Sequence, residues 1–140
     1  MRKTSRKGLR KNPGEKNHQK KMKPIIVVNF KAYSKAVGDD AIKLAKIHQE
    51  AARKTKAKVI VAVQAADIYR VSNAVKIDVL AQHVDGNEPG PYTGSVLAEN
   101  IKENGAAGSL LNHAEKRMSI REVRDAIFRC RRLGLYNVVC

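Results

Sequence analysis

Five short runs of unbroken apolar, largely β-branched residues punctuate this chain: 24–30 (PIIVVNF), 58–63 (KVIVAV), 78–84 (DVLAQHV), 106–112 (AAGSLLN) and 136–140 (YNVVC). Strict alternation of apolar and polar positions marks a strand with one wet face, whereas unbroken runs mark strands buried on both faces. Between the runs the period becomes helical. The clearest case is 119–133, where Ile120, Val123, Ile127, Cys130 and Leu133 recur at helical spacing. Ser119 serves as its N-cap with Glu122 three residues on, and Gly134 stops it. The stretch 40–54 predicts a second helix whose inner stripe is Ala41, Leu44, Ala45, Ile47 and Ala51. A shorter helix is expected at 64–74 and another at 95–103, ending at Asn104-Gly105. Strand and helix in alternation imply an α/β fold of parallel strands with right-handed crossovers: four βα units plus a fifth parallel strand.

Charge alters the picture at one end only. The 140 residues carry a net charge of +15, and residues 1–23 hold ten Lys/Arg against the single acid Glu15. The remaining 117 residues hold 18 bases and 12 acids, a far smaller excess. With Met1, Leu9 and Met22 as its apolar members, the basic stretch has too little to bury to offset the entropy of ordering. It is therefore expected to be a disordered extension over 1–22, with a single folded domain at 23–140. Met22 stands directly before the first strand and suits a natural start. Lacking aromatics on which bases could stack, residues 2–23 are expected to make at most weak, salt-sensitive nucleic-acid contacts. No apolar stretch follows the basic start as in a secretory signal, and none has the length of a membrane span. Cys130 and Cys140 are too few for a disulfide framework, and free thiols point to the cytoplasm. His18, His48 and His83 read as structural histidines, no spacing suggests a metal site, and no cofactor is expected.

In parallel α/β folds ligands bind at the carboxyl ends of the strands. Here those ends read Asn29-Phe30-Lys31, then Gln82-His83-Val84 with a long loop at 85–94 (DGNEPGPYTG), then Asn112-His113 followed by Glu115, Lys116 and Arg117. A lysine and a histidine converging on one rim make a site for an anion undergoing proton transfer. Lys116 and Arg117 read as surface charge.

Residues 22–140 resemble the N-terminal part of the triosephosphate isomerase family in its shorter, archaeal-type form. The resemblance rests on "NFK" after the first strand, "AQHVDGNEPGPYTG" at the third and "NHAEKR" at the fourth. It implies an incomplete TIM (β/α)8 barrel and the interconversion of dihydroxyacetone phosphate and glyceraldehyde 3-phosphate in glycolysis and gluconeogenesis. Carried over, Asn29 contacts substrate and Lys31 neutralises the phosphate and the developing enolate. His113, as a neutral imidazole just before a helix, is the electrophile that polarises the carbonyl. Glu115 orients Lys31 or His113, and Thr93 reaches into a neighbouring subunit's site. Where the family has serine after the histidine, this chain has Ala114. The family's glutamate base and glycine-rich phosphate loop belong to later strands, so the chain is expected to be a fragment, inactive alone. Edge strands one and five, and an inner layer facing no opposite wall, predict aggregation or assembly as a homo-oligomer or with a complementing half-barrel. The competing reading is a non-catalytic half-barrel binding module whose basic tail contacts nucleic acid.

Overall fold

The computed structural model describes residues 24–140. The basic extension, Met22 and His18 lie outside the described residues. Five strands, β1 (Ile25–Asn29), β2 (Lys58–Val63), β3 (Asp78–Ala81), β4 (Gly108–Leu111) and β5 (Tyr136–Val139), pair in sequence order, every pair parallel. The crossovers carry α1 (Gly38–Thr55), α2 (Ile68–Ala74), α3 (Ala98–Glu103) and α4 (Ile120–Arg132). The result is a half-barrel, the first five strands of a TIM-type fold with helices between them.

The two faces of the sheet bury separate clusters. Val61, Val63, Val79, Ala81 and Leu111 face the helices, meeting Ala41 and Ala45 of α1, Ile68 and Val71 of α2, Ile101 of α3, and Ala126 and Cys130 of α4. Ile60, Ala62, Leu80 and Leu110 form the second cluster, which contains no helical residue. This second face corrects one expectation. Although no helix covers it, its members are at most 3% exposed, packed with Val27, Ala107 and Val138. Apolar exposure instead falls on the margins: Ile25 and Ile26 on β1, Val139 on β5, Ile47 on α1, and Ile120 and Phe128 on α4.

Local chemistry sets several boundaries. Ser119 caps α4 through a reciprocal capping box with Glu122, as its sequence predicts. The buried Asp67 accepts the Gly38 amide through both carboxylate oxygens, at 3.1 and 3.2 Å, and so satisfies a donor at the first turn of α1. The inner stripe of α1 differs from the sequence reading: Ala52 is buried and His48 packs against Phe30, while Ile47 and Ala51 are exposed. An alanine-rich helix presents two plausible apolar faces, and packing chose the narrower. The fourth helical stretch is also shorter than expected, because Val96 exchanges hydrogen bonds with Asp85 and leaves the residues before Ala98 extended.

Gly108 sits where β4 and β5 approach most closely. A Cβ there would lie 1.9 Å from the Tyr136 carbonyl oxygen. Gly108→Ala is therefore expected to destabilise the fold by about 2–3 kcal/mol, as overpacking against backbone does. Urea unfolding followed by far-UV circular dichroism checks this, and an unchanged midpoint would refute it.

Candidate active site at the carboxyl rim

Because all five strands run the same way, the residues just beyond β1, β3 and β4 share one rim. There Lys31 and His113, 82 positions apart, meet with Nζ 3.3 Å from Nε2. Glu115 completes the group: its Oε1 lies 3.0 Å from Lys31 Nζ and its Oε2 3.5 Å from His113 Nδ1. A half-open cavity of about 210 Å³ is lined by these three with Asn29, Ala32, Gln82, His83 and Lys116.

The backbone delivers both key side chains from a costly conformation. Lys31 and Asn112 have φ of 58° and 55°, the left-handed region that non-glycine residues enter at a cost of about 1–2 kcal/mol each. Side chains brace both turns. Asn29 Oδ1 accepts the Lys31 amide at 3.0 Å, and Gln82 Nε2 donates to the Lys31 carbonyl at 2.8 Å and to Asn29 Oδ1 at 3.1 Å. Asn112 Oδ1 accepts the Met118 amide at 3.0 Å, and its Nδ2 donates to the Cys140 carbonyl at 3.0 Å. Gln82 and Asn112 are the residues that sequence reasoning left without a role. Their signal was present: a carboxamide closing an apolar strand, and an asparagine where the chain must turn left-handed.

The hydrogen bonds assign the histidine's tautomer. His113 Nδ1 accepts the Glu115 amide at 3.3 Å, which leaves the ring proton on Nε2, pointing toward Lys31 Nζ. Two donors then face each other with no acceptor between them, and an oxygen of an anionic ligand is the group that would satisfy both. Glu115 compensates the lysine, but its side chain is 65% exposed, so that ion pair contributes about 1 kcal/mol at most. The amide that meets the ring belongs to the turn at 113–116, closed by the Lys116 amide donating to the His113 carbonyl. This replaces the expected helix start, since α4 begins only at Ile120.

His83 and Lys116, read from sequence as structural and surface residues, both line the cavity. Arg117 Nη1 donates to the Asn112 carbonyl at 3.4 Å. Thr93 is exposed on the third loop and does not line the cavity. That loop is held at its base and its side. Asp85 Oδ2 accepts the Val96 amide at 2.7 Å, its Oδ1 pairs with His83 at 3.0 Å, and Arg129 of α4 pairs with Glu88 and Glu99. Among the described residues, no three His, Cys, Asp or Glu side chains gather as a metal site requires, and no helix is long and apolar enough to cross a membrane.

Partial burial pushes the Asp85 carboxyl upward, but the Val96 amide and His83 outweigh it and hold the group below its ordinary value. A carboxylate depressed in the fold stabilises above its unfolded pKa of about 3.9 and loses that contribution as pH falls through the lower folded value. Asp85→Asn is therefore expected to cost stability at neutral pH, with the difference from the parent shrinking below about pH 4. Denaturant midpoints measured from pH 7 to pH 3 check this; a gap that widens toward acid refutes it.

The comparisons with known proteins agree with this geometry. A family model described as triosephosphate isomerase matches residues 24–140. The triosephosphate isomerase of Metallosphaera sedula is 48% identical over 117 residues, and that of Methanobacterium bryantii 46%; each alignment takes in 84% of this chain. The chain in turn covers 51% and 52% of those two proteins, so it spans about half the length of the curated relatives it matches. The crystal structure of triosephosphate isomerase from Bartonella henselae superposes with a TM-score of 0.73 at 25% identity, covering 85% of this chain and 51% of that one. With the model, the relatives and the fold all meeting over residues 24–140, the chain belongs to the triosephosphate isomerase family.

Proposed function

We propose that this chain supplies the electrophilic and anion-binding part of a triosephosphate isomerase site, of the archaeal type that its relatives suggest. The observation that carries the reading is the convergence of Lys31 Nζ and His113 Nε2, 3.3 Å apart, on one cavity. Isomerisation of dihydroxyacetone phosphate removes a proton from the carbon next to the carbonyl, leaving an enediolate whose charge must be stabilised. The Nε2 proton of His113 donates to the carbonyl oxygen, and a neutral ring is a matched donor for an oxygen that changes its charge. Lys31 places a positive charge beside both that oxygen and the phosphate, while Asn29 and Gln82 keep its backbone turn in place.

The reaction also needs a base, and Glu115 is the one carboxylate lining the cavity. Its interactions with Lys31 and His113 make it an orienting group in this reading. The proton-abstracting carboxylate and the remainder of the phosphate site then come from polypeptide that completes the barrel beyond β5 and β1, and the chain alone is inactive or nearly so. Thr93, exposed on the third loop, is the residue that would reach a neighbouring subunit. The interconversion belongs to glycolysis and gluconeogenesis, and the compartment we assign is the cytoplasm.

Titration with dihydroxyacetone phosphate, followed through the His113 ring and Asn29 amide resonances, tests the reading. Binding should shift both signals and weaken by about tenfold or more in Lys31→Met, the loss expected for a charged hydrogen bond. Equal affinity in that variant would sink the proposal. So would isomerase turnover by the chain alone within tenfold of a complete family member.

A further inference from the structure

One flank of α4 is apolar and open. Ile120, Val123, Ile127 and Phe128 recur at the spacing of a helix-packing ridge, yet Ile120 is 90% exposed and Phe128 64%. With Arg124 and Arg131 they line a groove of about 390 Å³. Through Ile127 and Arg131 the groove continues into a second hollow beside β5, walled by Leu135, Tyr136, Asn137 and Val139. In that wall Asn137 Nδ2 is buried with no hydrogen-bond partner among the described residues. The adjoining strand β5 is the sheet's edge among the described residues, with one row of backbone groups unpaired.

The border of the groove is basic. α4 carries Arg121, Arg124, Arg129, Arg131 and Arg132 against Glu122 and Asp125. Both acids are occupied, Glu122 in the cap with Ser119 and Asp125 with Arg124. Arg129 is turned to Glu88 and Glu99, and Arg132 lies 5.9 Å from the Phe128 ring centroid. Arg121 and Arg131 have no carboxylate within 4.0 Å among the described residues. The open flank of α1, lined by Lys46, Ile47, Glu50, Ala51 and Lys54, also carries surplus positive charge. A second copy docking α1 or α4 here would set ammonium or guanidinium groups against guanidinium groups.

We propose that this flank of α4 docks an amphipathic helix whose apolar ridge is bordered by Asp and Glu, carried by the polypeptide that covers the β5 edge. The inference rests on the completion of the barrel proposed above and names the chemistry of the completing partner. It is independent of the chemistry at Lys31 and His113.

The full chain, titrated with two labelled helical peptides of identical apolar ridge, one bordered by Glu and one by Lys, tests it by fluorescence anisotropy at physiological ionic strength. The Glu peptide should bind about tenfold tighter or more, as interfacial charge complementarity allows. Phe128→Ser should weaken it about tenfold by removing the anchor, and Arg124→Glu with Arg131→Glu should reverse the preference. All three positions have exposed or half-exposed side chains, so the variants should keep the parent's circular dichroism. Affinity for the Glu peptide unchanged in both α4 variants would overturn the proposal by assigning the binding to the basic extension. Concentration-dependent dimerisation abolished by Phe128→Ser would overturn it in favour of a second copy. Substrate titration at His113 in the same samples separates the two readings: failed substrate binding with intact peptide binding rejects only the isomerase chemistry.

Discussion

At the ends of β1 and β4 the backbone enters the left-handed region at Lys31 and at Asn112, and the candidate site depends on those two turns. Each carries conformational strain that an isolated chain end would relieve by rotating away. Here the relief is blocked by side-chain amides. Asn29 and Gln82 hold the first turn from within the rim, and Asn112 bridges the Met118 amide to the Cys140 carbonyl at the second. Strain of this kind persists only where surrounding contacts over-determine the conformation. It places Lys31 Nζ and His113 Nε2 within 3.3 Å of each other, a separation that two free donors would not choose.

Parallel pairing in strict sequence order lets such distant residues cooperate. With every strand running the same way, the turns after β1, β3 and β4 fall on one rim, and Gln82 can clamp Lys31 from 51 positions away. The site is thus built on strand ends that are themselves buried. Val63, Ala81 and Leu111, the last residues of β2, β3 and β4, are fully buried, so the loops above them spring from a rigid base.

The margins of the molecule differ in kind from its centre. The helix-free face is sealed by its own apolar side chains, whereas β1, β5 and the outer flanks of α1 and α4 keep isoleucine, valine and phenylalanine in contact with solvent. Relatives about twice as long place the same fold within a larger chain, which accounts for apolar residues at edges that a self-contained domain would cover. The α4 stripe illustrates the ambiguity. Ile120, Val123, Ile127, Cys130 and Leu133 read as a single inner face, but only Cys130 is fully buried, with Ala126 beside it, while Ile120 lies on the opposite flank. Periodicity reports that a helix has an apolar side, and says nothing of whether the chain itself supplies the cover.

Strand positions, the capped start of α4 and the order of the motifs were legible in the chain because each follows from local chemistry: β-branched runs, a serine with its matching glutamate, and turn residues at strand ends. The inner stripe of α1 was not, because alanine fits either face of a helix and only the sheet beneath chooses between Ala51 and Ala52. Nor was the role of Gln82, whose carboxamide matters solely through where Lys31 and Asn29 lie in space. The sequence by itself determined the element order and the parallel sheet, and placed Lys31 and His113 on a common rim. Only the tertiary structure decided the tautomer of that histidine, the bracing of the two left-handed turns and the sealing of the helix-free face, since each depends on contacts between residues far apart in the chain.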